Sequence, residues 1–151
     1  MANENVLESY AAKLGFPNSK TLRRIFSILF DGEKDLQILE ALPGTARELA
    51  EKTGLSEEEV RAAADRLVQH GALSHPMKRP DLYRLFPAMI ELRDATVLWP
   101  DAPQEFFELW EELISNEMPS LIPLLKTLKV PAMMRVVPIE RSVESQNTVL
   151  D

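Results

Sequence analysis

Few residues in this chain are of the types that do covalent chemistry. It has no cysteine, so thiolate metal sites, disulfides and cysteine nucleophiles are excluded from these residues. The only two histidines are His70 and His75. A five-residue gap across a predicted helix stop is not a known ligand spacing, and His70 in a last helical turn reads as a partner for the helix dipole. The carboxylate runs Glu57 to Glu59 and Glu111 to Glu112 are adjacent in sequence, so on a helix they splay instead of converging on one atom. No glycine-rich phosphate loop, nucleophile elbow or Ser/His/Asp set is present. The chain does not read as an enzyme, and no residue is assigned a catalytic, cofactor-binding or metal-binding role.

What remains is recognition by charge and shape. The candidates for contact with nucleic acid or a protein partner are Arg61, Arg66, Gln69, Lys78 and Arg79. They lie in a stretch, Thr45 to Phe86, that has the outline of a winged helix-turn-helix. Such a motif reads base edges with the first half of its second helix. Here that half is Glu57-Glu58-Glu59, which would set three carboxylates against phosphate. From Thr45 to Phe86 seven basic residues face seven acidic ones, and the whole chain carries −7. DNA binding is therefore without an electrostatic footprint. Lys78-Arg79 is the best phosphate-contact candidate, with a solvated turn as the simpler reading.

The elements that position these residues follow from caps and periodicity. Thr45 with Glu48, and Ser56 with Glu59, are two capping boxes. Gly54 sits where a left-handed residue should end the first helix, and Gly71 ends the second. Val60, Ala63, Ala64, Leu67 and Val68 give the second helix a lean apolar stripe. Short strands at 72–75 and 82–85 flank Pro76 to Asp81, a turn with a basic tip. Upstream, Asn3 to Leu14 reads as a helix. A second helix capped at Asn18 or Ser19 carries Leu22, Ile25, Phe26, Leu29 and Phe30 at helical spacing. A third, capped by Asp31, buries Leu36, Ile38, Leu39 and Leu42 and stops at Pro43-Gly44.

After Phe86, Ala88 to Leu98 reads as a helix. Asp101-Ala-Pro103-Gln104 predicts a helix start with Asp101 as its cap, Pro103 in the first turn and Gln104 at N3, and Phe106, Phe107, Trp110, Leu113 and Ile114 form a stripe read as core. Met118-Pro119 is expected to end that helix, and 121–128 to form a short one with Pro123 in its first turn. Met133 to Ile139 reads as extended, with Pro138 limiting it to an edge strand. The fold class is mainly α: a winged helix-turn-helix with a small β-hairpin wing and a C-terminal helical appendage. The expected division is 1–86 for the winged-helix domain, 87–140 for the appendage packed on it, and 141–151 for a linker or truncated tail. The hydrophobic content of 45% with 27% charged residues is that of a globular chain. With no signal peptide and no run long enough to span a bilayer, the expected location is cytoplasmic.

Several stretches carry a resemblance: Leu14-Gly-Phe-Pro, then Ala41 to Leu55, then Leu92-Arg-Asp-Ala-Thr96, then Phe107-Glu-Leu-Trp-Glu-Glu, then Arg135-Val-Val-Pro-Ile-Glu-Arg-Ser-Val-Glu. In this order they resemble the N-terminal region of ferredoxin-type 4Fe–4S proteins of anaerobic bacteria, which join a winged-helix region to a cysteine-rich cluster domain. The resemblance implies 4Fe–4S clusters in a longer chain and none here, because no cysteine is present to carry over as a ligand. It also implies that the chain ends before the cluster domain. The expected function is a non-catalytic winged-helix interaction module at the front of an iron–sulfur electron-transfer protein, docking a protein partner or a second copy as a homodimer. The alternative is a winged-helix DNA-binding transcriptional regulator.

Overall fold

Caps and apolar stripes set most of the helix boundaries. The computed structural model describes residues 2–127, and the stretches 133–139 and 141–151 lie outside them. The chain falls into two compact units, Met1–Glu117 and Met118–Asp151. The first opens with α1 (Ala2–Lys13) and α2 (Lys20–Leu29). Ser19 caps α2, its Oγ accepting the Leu22 N–H at 3.0 Å. The stripe on α2 is the centre of the core: Leu22, Ile25, Phe26 and Leu29 are buried. Tyr10 of α1 stacks on Phe26 with ring centroids 4.7 Å apart.

Next come α3 (Glu33–Ala41), β1 (Gly44–Thr45), α4 (Ala46–Thr53) and α5 (Glu57–Gln69). The α3 start corrects one expectation. Its N-cap is Gly32, not Asp31, and the cap works from inside the helix: the Asp35 carboxylate accepts the Gly32 N–H at 3.4 Å. Asp35 is buried together with Ile38 and Leu39, whereas Leu36 and Leu42 are half-buried. Both expected capping boxes are present. Thr45 and Glu48 exchange bonds of 3.3 and 2.8 Å, and Ser56 and Glu59 bonds of 3.2 and 3.0 Å. Each satisfies donors that the first turn of a helix cannot use internally. Gly54 ends α4 at φ +76°. The Lys52 ammonium donates to the carbonyls of Ala41 and Pro43, at 2.8 and 3.2 Å, and so ties α4 to the end of α3.

Two further strands, β2 (Leu73–Ser74) and β3 (Leu82–Leu85), complete a three-stranded antiparallel sheet in the order β1-β3-β2. The register pairs Gly44 with Tyr83 and Leu73 with Leu85. β1 is a strand that the apolar pattern does not announce. Its two residues also begin the capping box of α4.

α6 (Met89–Thr96) and α7 (Gln104–Glu112) follow, and α7 runs into a π-helical turn at Leu113–Glu117. Here the expected Asp101 cap is corrected. Pro103 is the N-cap, at φ −64° and ψ 151°, and no side chain caps the helix. Phe106, Trp110 and Leu113 are buried, which bears out the core reading of their stripe. Leu22 and Trp110 belong to helices that pack together, α2 against α7, with Arg24 and Glu105 bridging them at 2.6 and 3.0 Å on the outside. Gly71, at φ +74°, brings the end of α5 onto the backbone of α6: a Cβ there would lie 2.5 Å from the Ala95 carbonyl.

In the second unit the expected stop at Met118-Pro119 is also corrected. Met118 opens α8 (Met118–Thr127), and Pro119 falls in its first turn instead of ending the helical run. Pro123 lies inside that helix, not at its start. The Thr127 hydroxyl donates to the Pro123 carbonyl at 2.9 Å. No helix among the described residues is long and apolar enough to cross a membrane.

Candidate functional site

The residues singled out for recognition sit on α5 and on the turn between β2 and β3. Position along α5 decides which way each points. Arg61, Asp65 and Gln69 are four apart and share a face. Asp65 accepts the Tyr83 hydroxyl of β3 at 2.5 Å, so that face borders the hairpin. Arg66 points elsewhere, to the start of α3. Its Nη2 lies 2.6 Å from Oδ1 of Asp35, and its Nη1 lies 3.9 Å from Asp31. The Asp35 side chain is 1% exposed. Arg66 is therefore the counter-charge of a buried carboxylate and not a free cation on the contact face.

Arg61 is also engaged, with Nη2 2.7 Å from Glu57 one turn earlier. Gln69 is exposed in the last turn. Lys78 and Arg79 stand at the hairpin tip, with Arg79 3.9 Å from Asp81 and Lys78 in no ion pair among the described residues. Arg79 also helps to hold the Glu48 carboxyl below its usual range, after the larger effect of its bonds to Thr45.

The glutamates that open α5 have three different tasks. Glu57 pairs with Arg61. Glu59 closes the capping box and bonds the Lys34 ammonium of α3 at 2.8 Å. The Lys34 bond first, and the Ser56 bonds next, pull its carboxyl down to about 2. Glu58 is exposed and belongs to no ion pair among the described residues.

The two imidazoles have separate surroundings. The Nδ1 of His75 lies 3.0 Å from the Leu82 carbonyl, so that nitrogen carries the proton. His70 is the C-cap of α5 and stacks on Trp99 at 4.1 Å with the rings 13° from parallel. Burial first, and the Arg66 charge second, push its pKa down. Burial and the Asp65 bond push the Tyr83 phenol up to about 12.

Among the described residues no cluster of three or more His, Asp or Glu side chains could hold a metal ion. Two shallow openings lie among the described residues. One of about 380 Å³ lies between Tyr10, Leu39 and Leu85, and one of about 710 Å³ lies between the starts of α3 and α5 over Ala62 and Ala63. Sequence reasoning passed over two residues at this surface. Asp35 carries a signal in its spacing, three residues after a helix-breaking glycine. Met77 carries one in its position, a large apolar residue between prolines in a turn. No family model matches this chain, and neither a curated protein nor a solved structure matches it.

Proposed function

We propose that 33–85 is a winged helix used as a non-catalytic protein-docking module. In this reading α3, α4 and α5 are its helices, β1-β3-β2 its sheet and the 76–81 turn its wing. The observation that carries the docking role is the neutralisation of the contact face. Arg61 is held by Glu57, Arg66 is turned away to Asp35 and Arg79 lies 3.9 Å from Asp81, while Glu58 stays unpaired at the start of α5. Affinity for a polyanion comes from cations that displace counterions, and each cation already paired contributes little. Through the resemblance of its sequence, the module is the front part of a ferredoxin-type iron–sulfur protein that works in the cytoplasm. Its clusters are held by cysteines of a longer chain.

Mobility-shift assays with duplex DNA test the docking role, which predicts no saturable shift. Closely spaced cysteines in the reading frame beyond Asp151 test the iron–sulfur context. The second reading, a DNA-binding regulator, rests on Lys78, the cation at the tip with no ion pair among the described residues. A saturable shift that weakens steeply with salt would decide for it.

A further inference from the structure

The hairpin tip has a feature that a merely solvated turn does not need. Met77 is 100% exposed, while the other exposed large apolar side chains of the described residues, Ile90 and Leu98, are 37% and 78%. Its turn is closed by the Arg79 N–H donating to the Pro76 carbonyl at 3.0 Å, and it lies between Pro76 and Pro80. Two prolines fix two φ angles, so the tip is presented with little left to lose in conformational entropy on docking. Beside Met77 stands Lys78, exposed and in no ion pair among the described residues. The tip therefore offers one flexible apolar side chain next to one available ammonium.

The same chain has a surface of matching character. The trough of about 710 Å³ between the starts of α3 and α5 is floored by Ala62 and Ala63. Two carboxylates of its own, Asp35 and Glu59, are already held by Arg66 and Lys34. Glu33 on its rim and Glu58 next to it on α5 are exposed and in no ion pair among the described residues. Methionine adapts to shallow, irregular apolar floors, and an ammonium between two unpaired carboxylates is complementary in charge. An extended polyanion fits the tip less well: Arg79, next to Lys78, already has the Asp81 carboxylate at 3.9 Å, which leaves a single ammonium for it.

We propose that the hairpin tip of one copy seats in the α3–α5 trough of a second copy, with Met77 over Ala62 and Ala63 and Lys78 against Glu33 and Glu58. Exchange of two tips across a two-fold axis closes the pair. The contact is small, so the pair is a weak one. This inference rests on the docking reading above and names its partner.

Sedimentation velocity over a concentration series tests it. The wild-type chain self-associates. Met77→Asp and Lys78→Glu each weaken association about tenfold or more, and so does Glu33→Lys combined with Glu58→Lys. All four positions are exposed, and thermal melts confirm that the variants stay folded. Mixing the Lys78→Glu chain with the Glu33→Lys/Glu58→Lys chain restores association that neither shows alone. A wild-type chain that stays monomeric, or a mixture that fails to associate, overturns the proposal. So does a monomer whose tip binds duplex DNA or anionic vesicles. The two readings fail separately: a self-associating chain that also binds DNA sinks the docking role alone, and a monomer that ignores DNA sinks this inference alone.

Discussion

Replacing Gly71 by alanine tests how the end of α5 is joined to α6, and Gly54→Ala is its natural control. Both glycines have left-handed backbone, φ +74° and +76°. At either position an alanine costs about 1–2 kcal/mol for the left-handed conformation. About 0.4–1 kcal/mol of that is offset because the unfolded chain loses freedom. The surroundings differ. A Cβ at Gly54 meets nothing within 4 Å, whereas at Gly71 it meets the Ala95 carbonyl carbon and oxygen at 2.5 Å and the Thr96 nitrogen at 2.7 Å. Those are backbone atoms of a helix, so no rotamer change relieves the overlap and α6 must move. Forced overpacking of this kind costs about 1–3 kcal/mol more. Gly54→Ala should then destabilise by about 1 kcal/mol and Gly71→Ala by about 2–4 kcal/mol. Urea unfolding followed by circular dichroism and by the fluorescence of the two tryptophans measures both. Equal losses for the two variants would refute the packing of Gly71 on α6.

Other outcomes follow from the charge and phenol contacts. Arg66→Ala leaves the Asp35 carboxylate, 1% exposed, without its counter-charge, and should cost about 3 kcal/mol in urea unfolding. Arg61→Ala removes an exposed pair and should cost less than about 1 kcal/mol. Equal effects would show that Asp35 is not sustained by Arg66. On the alkaline side, the Tyr83 phenol ionises near pH 12 when folded, and its ordinary value is 10.0. A raised folded value means that its contribution is complete below pH 10 and is lost as pH climbs from there through 12. Burial raises Tyr10 as well, so phenolate absorbance of the native chain should lag behind that of the unfolded chain. Tyr83→Phe should flatten the alkaline loss of stability, and an unchanged pH profile would contradict the Asp65 contact.

The parts of the fold that were legible in the sequence are those set by local chemistry. The Thr45/Glu48 and Ser56/Glu59 pairs, the left-handed Gly54 and Gly71, and the α2 stripe are each decided within a few residues. What the sequence hid depends on partners far along the chain. β1 is two residues long and exists because β3 pairs with it. Asp35 reads as a polar helix residue until Arg66, 31 positions away, buries and neutralises it. The starts of α3 and α7 were misplaced for a different reason. Asp31 and Asp101 are good capping residues, but the chain turns at Gly32 and Pro103, leaving each aspartate upstream of the N-cap. Pro119 reads as a stop in the sequence, although a proline is as much at home in the first turn of a helix as beyond its end. At the candidate surface the residue types were visible and their engagement was not: Arg61 and Arg66 look alike in sequence and face different ways.

The central claim is that the α5–hairpin face docks protein and does not read DNA. Fluorescence anisotropy of a labelled duplex, titrated with the chain at several salt concentrations, tests it most directly. The account predicts no saturable binding at physiological salt and no slope of affinity with salt. Saturable binding that falls steeply with salt, and that Lys78→Glu abolishes, would contradict it.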